Sequence, residues 1–102
     1  MIFLIHLSYP MSSQPGIAEK YQDRPPLPEG MVQRGPYMYT AQGSPDEQVN
    51  ALLLFEFEKS KMAEAAVYLA NRYNNVVTVP GATYSSTLCF EGGDFATAGE
   101  SS

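Results

Sequence analysis

The 102-residue chain contains one cysteine, one histidine and six lysines plus arginines, and each of these shortages removes a class of function. A lone Cys89 rules out an intrachain disulfide, and with it the small secreted scaffolds that depend on such bridges. A reducing, cytoplasmic setting is the expectation. Cys89 also has no basic neighbour in sequence to activate it, so it reads as a small buried hydrophobe and not as a nucleophile. One His and one Cys on different strands do not make a convergent ligand set, so no metal site and no cofactor are expected. The basic residues face 11 acidic ones, for a net charge of −5, and they do not cluster, which argues against nucleic acid as a partner. Long hydrophobic runs are also missing. The apolar opening Ile2-Phe3-Leu4-Ile5 is interrupted by His6 and stopped by Pro10, too soon for a signal segment or a membrane span. Serine-nucleophile motifs, phosphate-binding glycine loops and dinucleotide fingerprints do not occur.

What remains has the make-up of a folded domain, 44% hydrophobic and 17% charged. Ile2 to Tyr9 is, apart from Ser8, β-branched, aromatic or leucine and reads as a strand buried on both faces, with Phe3, Ile5 and Leu7 on one and Ile2, Leu4, His6 and Ser8 on the other. Ser12 to Asp23 reads as a helix, with a serine to cap it, Pro15 in its first turn and Ile17 and Tyr21 four apart. Three prolines between Arg24 and Gly30 make a loop. Met31 to Ala41 is strand-like but broken by Gly35-Pro36, and since proline is tolerated in sheets only at edges or bulges it is expected as an edge strand. Gln42 to Glu47 is a turn cluster. Gln48 to Glu58 is the strongest strand: Ala51, Leu53, Phe55 and Phe57 line one face, and Leu52, Leu54, Glu56 and Glu58 line the other.

Ser60 is the expected N-cap of a second helix whose apolar stripe runs through Met62, Ala65, Ala66, Leu69, Ala70 and Tyr73, with Asn74-Asn75 as its stop. Val76 to Val79 and Thr83 to Phe90 flank Pro80-Gly81 as an interrupted last strand. Residues 1–91 are read as one α+β domain and residues 92–102 as a frayed tail. Strand, helix, strand, strand, helix, strand is the order of a ferredoxin-like βαββαβ domain with an antiparallel sheet, with the first and third strands expected as parallel neighbours and the fourth flanking the first. Both helices then cover one face. Ile2, Leu4, Leu52 and Leu54 on the other face would form a large apolar patch, which a homodimer packed sheet to sheet would hide.

Phe55-Glu56-Phe57-Glu58 running straight into Lys59-Ser60, and Val79-Pro80-Gly81-Ala82-Thr83-Tyr84 before the last strand, resemble the dimeric α+β barrel superfamily over roughly residues 1 to 90. That group includes antibiotic-biosynthesis-type monooxygenases, YCII-like proteins and many small bacterial domains of unknown function. The resemblance implies a homodimer, and it leaves the activity open, because fold does not choose among members.

One constellation carries possible chemistry. His6 and Glu56 fall on the same sheet face of neighbouring strands, where a carboxylate beside the imidazole would favour one tautomer and supply a general acid or base. The plainer account has His6 satisfying a hydrogen bond at the dimer cleft and Glu56 at its rim. Tyr37, Tyr39 and Tyr84 offer aromatic walls with polar tips, and Arg34 a cation for an anionic ligand or simply a solvated charge. Three functions follow as expectations: a homodimer binding a small, partly apolar molecule on its sheet face; a cofactorless monooxygenase or isomerase with His6 as acid/base; or a non-catalytic structural or regulatory interaction protein.

Overall fold

Alternating burial along Ile2–Pro10 makes strand β1, whose Ile5, Leu7 and Tyr9 are all but inaccessible while Ile2, Leu4, His6 and Ser8 are half-buried. The computed structural model describes residues 1–40, 48–90 and 92 of the chain. After β1 come helix α1 (Gln14–Gln22), strand β2 (Val32–Thr40), strand β3 (Gln48–Glu56), helix α2 (Met62–Val76) and strand β4 (Thr83–Cys89). The expected turn at Gln42–Glu47, with Asp46 and Glu47, and the tail beyond Gly92 lie outside the described residues.

The four strands form one sheet in the order β2-β3-β1-β4, compatible with a ferredoxin-like arrangement. Every pairing in it is antiparallel, including β1 with β3. The expectation that these two run parallel is therefore corrected. The reason lies in the connections. A crossover through α1 returns the chain so that β2 runs in the same sense as β1, and the reversal from β2 to β3 then brings β3 in against both. In this register Ile2 pairs with Glu56, Leu4 with Leu54, His6 with Leu52 and Ser8 with Asn50.

Both helices pack on the face that carries Ile5, Leu7, Tyr9, Ala51, Leu53 and Phe55, forming one core cluster with Ile17 of α1 and Ala65, Leu69, Tyr73 and Val76 of α2. The buried stripe of α2 is thus rotated from the expected one. Met62, Ala66 and Ala70 are exposed, and Arg72 joins the buried side. Ser60 does not cap α2 with its side chain; it lies in a short 3-10 turn at Lys59–Lys61, where backbone bonds such as Lys61 N–H to the Glu58 carbonyl (2.8 Å) tighten the helix start. α2 also runs one residue past Asn74-Asn75, and Val77 to Val79 continue in backbone-bonded turns, so the last strand begins only at Thr83.

β2 is the expected edge strand and also carries a bulge at its Gly35-Pro36 pair: between Arg34 and Tyr37 it takes three steps while β3 takes two. The extra residue keeps Arg34, Tyr37 and Tyr39 on one face instead of alternating them with Pro36 and Met38. Gly35 sits at φ 90°, and a Cβ there would come within 2.6 Å of the Leu52 carbonyl oxygen. Gly35→Ala is accordingly expected to destabilise the fold by about 1–3 kcal/mol in urea unfolding; an unchanged midpoint would refute this account of the bulge.

Within the core, the Tyr73 hydroxyl has no hydrogen-bond partner among the described residues, although the ring is 0% exposed and packs edge-on to Phe55 at 6.3 Å. Burial also pushes its phenol well above the usual tyrosine range, with the neighbouring Arg72 cation opposing in part. Below pH 10 the phenol is protonated in both folded and unfolded chains. Above about pH 10 the unfolded chain releases the proton and the folded one holds it, so stability falls by about 1.4 kcal/mol per pH unit from this group. Tyr73→Phe should raise stability by about 1 kcal/mol at neutral pH by removing an unsatisfied buried hydroxyl, and it should flatten the alkaline decline. Thermal unfolding across pH 7 to 11 (roughly the window set by the free phenol) tests both effects.

Candidate functional site

The face of the sheet away from the helices is open. Pairing aligns its side chains in four rows across the strands, from Val32, Glu56, Ile2 and Cys89 at one end to Tyr39, Asn50, Ser8 and Thr83 at the other. Between them lie the rows of Arg34, Leu54, Leu4 and Thr87, and of Tyr37, Leu52, His6 and Ser85. The face grades accordingly. An ion pair marks one corner, aliphatic side chains occupy the middle, and neutral polar groups fill the far end.

At that polar end three side chains meet. His6 Nε2 lies 3.0 Å from Asn50 Oδ1 and 3.2 Å from Tyr39 Oη, and the His6 and Tyr39 rings are nearly parallel, 10° apart. The antiparallel register explains the meeting, because Asn50 is the diagonal neighbour of His6 and pairs directly with Tyr39. With Oδ1 facing the ring, Nε2 carries the proton and donates it, and Tyr39 Oη accepts from the same N–H. Asn50 is 8% exposed, so its amide is a fixed anchor and not a solvated side chain. Nδ1 keeps its lone pair and has no partner among the described residues. Ser8 Oγ, donating to Gln48 Oε1 at 3.3 Å, extends the polar line along the sheet.

The expected His6–Glu56 pair does not form. Glu56 stands opposite Ile2, four residues and hence about 13 Å along the strand from His6. Its carboxylate instead meets Arg34 Nη2 at 3.2 Å, and the ion pairs among the described residues, Arg34–Glu56 and Lys61–Glu64, leave His6 without a carboxylate. The Arg34–Glu56 pair is solvent-exposed, worth about 0–1 kcal/mol, and its main effect is to neutralise Arg34. Of the tyrosines expected beside it, Tyr37 and Tyr39 share the open face. Tyr84 is on the opposite, helix-covered face, where its hydroxyl donates to Asn74 Oδ1 at 2.9 Å and its ring leans on Tyr73. Cys89 is half-buried at the open face's outer strand.

Asn50 is the residue that the sequence reading passed over. The alternation that puts Leu52, Leu54 and Glu56 on one face extends backwards to it, and an antiparallel pairing of the first and third strands would have brought it to His6. Among the described residues no group of three or more His, Cys, Asp or Glu side chains converges on a metal position, and no helix is long and apolar enough to cross a membrane.

Compared with models of known protein families and with curated proteins, the chain matches none.

The neutral imidazole should sit in the Nε2–H tautomer in the folded chain, and nitrogen-15 long-range correlation spectra would read it directly. Asn50→Ala should mix the two tautomers, whereas a dominant Nδ1–H form in the wild type would contradict the geometry.

Proposed function

We propose that the chain acts as a homodimer packed open face to open face, and that the cleft so enclosed takes a small, partly apolar molecule held at its polar end by His6, Asn50 and Tyr39. The observation that carries this reading is the clustering of Leu4, Leu52 and Leu54 in the middle of a face that no helix covers, with Ile2 beside them on the same central strands. Four aliphatic side chains on two central strands are a costly surface for a monomer, and since each is already half-buried, covering it with a second copy would contribute roughly 1 kcal/mol apiece. A two-fold interface suits this, because one patch can serve both partners.

The polar end supports a ligand and not simply more interface. Apolar walls with a few convergent hydrogen-bonding groups are the ordinary make-up of small-molecule sites. Here the groups are a Tyr39 hydroxyl that can still donate and an Nδ1 lone pair that can accept. The same lone pair favours a second reading, a cofactorless isomerase type of enzyme in which Nδ1 removes a proton from an acidic C–H or O–H of the bound molecule and later returns it.

Light scattering should give twice the chain mass for the wild type, and Leu4→Lys and Leu54→Lys should each give monomers with unchanged far-ultraviolet circular dichroism. A wild type that stays monomeric at every concentration would dispose of the dimer. For the ligand, a metabolite that raises the melting temperature of the wild type but not of His6→Ala would locate the site; stabilisation that survives His6→Ala would place it elsewhere.

A further inference from the structure

On the other side of the sheet the helices do not fill all the space they cover. α1 is nine residues long and buries only Ile17, and its Gly16 and Ala18 are small. β2 turns Pro36 and Met38 to this side, and Met38 is 50% exposed because no helix extends over the edge strand. The result is a cavity of about 370 Å³ between α1 and β2, with Leu7, Ile17, Ala18, Met38 and Ala51 as apolar wall and Gln14, Gln22, Tyr21 and Arg24 at its margin. That volume lies within the range of small-molecule sites.

Although the chain carries a net charge of −5, the one charged residue lining this cavity among the described residues is an arginine. Arg24 lines the cavity, and its Nη1 donates to the Tyr21 carbonyl at 3.0 Å. Its guanidinium lies 5.1 Å from the centre of the Tyr21 ring, and that of Arg72 lies 5.2 Å from the same ring. Arg72 is 3% exposed; its Nη1 donates to Gln33 Oε1 at 3.1 Å and to Tyr68 Oη at 3.4 Å, and its Nη2 has no hydrogen-bond partner among the described residues. Neither arginine takes part in an ion pair among the described residues, although Glu19 and Asp23 stand exposed on and just after α1. Two guanidinium groups without counter-charge therefore flank one aromatic wall of an apolar cavity. Arg24 is solvent-exposed and offers its guanidinium at the mouth, whereas Arg72 is buried with Nη2 unpartnered among the described residues, a costly state that an anion nearby relieves in part.

We propose that this cavity is a second binding site, for a small amphiphilic monocarboxylate: the apolar body lies against Ile17, Ala18, Met38 and Ala51, and the carboxylate meets Arg24 at the mouth. The planar guanidinium fork matches a carboxylate in two parallel hydrogen bonds. Arg72, behind Tyr21, adds attraction through a wall of low polarity without touching the ligand. The site lies on the face opposite His6, so it stands or falls independently of the open-face reading.

The test uses the full chain titrated calorimetrically with sodium octanoate, and with 1-octanol as the uncharged control of the same chain length. Octanoate should bind and raise the melting temperature, with octanol weaker by roughly tenfold or more. Arg24→Gln should bring octanoate down to the level of octanol and leave octanol itself unchanged. Ala18→Phe, at an exposed position on α1 that tolerates a larger side chain, should abolish both by filling the space. His6→Ala and Leu4→Lys should leave both unaltered. Equal binding of octanoate and octanol, an unaffected Arg24→Gln, or binding that survives Ala18→Phe would each overturn the proposal.

Discussion

The pairing of β1 with β3 is the constraint from which the remaining structure follows. Both strands are largely apolar on both faces, so neither suits an edge of the sheet, and the two sit side by side at its middle. Once they do, Ile5, Leu7, Leu53 and Phe55 demand cover on one side, which α2 supplies with Ala65, Leu69, Tyr73 and Val76. The outer strands take what is left. β4 brings Thr83, Ser85 and Thr87 to the open face, and β2 brings Arg34, Tyr37 and Tyr39, so the aliphatic middle is framed by groups that tolerate water.

The sense of that pairing decides the chemistry. Parallel strands would have let His6 approach the acidic end of β3, giving an imidazole–carboxylate couple suited to proton transfer. The antiparallel ladder carries Glu56 to the far end, where Arg34 neutralises it, and delivers Asn50 in its place. A neutral amide orients the ring without adding charge, so His6 is set up to form hydrogen bonds, with its remaining lone pair as the one basic atom of the cluster.

The two faces of the sheet differ in what they leave unsatisfied. On the open face the imbalance is apolar area; on the helix side it is the buried charge of Arg72, which shares the Tyr21 ring with the exposed Arg24. Arg72 shows how a sequence pattern can mislead about a helix. An alanine-rich stripe through Ala66 and Ala70 is the more hydrophobic choice on paper, yet the helix turns so that a guanidinium is inside, stacked among Tyr21, Phe55 and Tyr73. The aromatic faces attract the cation, and its long stem packs as an apolar side chain.

The order of the elements, the identity of the central strands and the edge position of β2 can be read from the chain alone, because each rests on local chemistry: alternation of side chains along a strand, and the donor that proline lacks. Burial of Ile5, Leu53 and Phe55 follows from the same alternation. The relations between elements cannot be read that way. Whether His6 meets Glu56 or Asn50 depends on strand sense, which is set by how one crossover and one chain reversal combine. Whether Tyr37 and Tyr39 share a face with Arg34 depends on one extra residue at Gly35-Pro36, since a single step in register moves every later side chain to the other side of a sheet. The cavity under α1 and the burial of Arg72 depend on how far two helices of unequal length reach across a sheet, a quantity that no local pattern encodes.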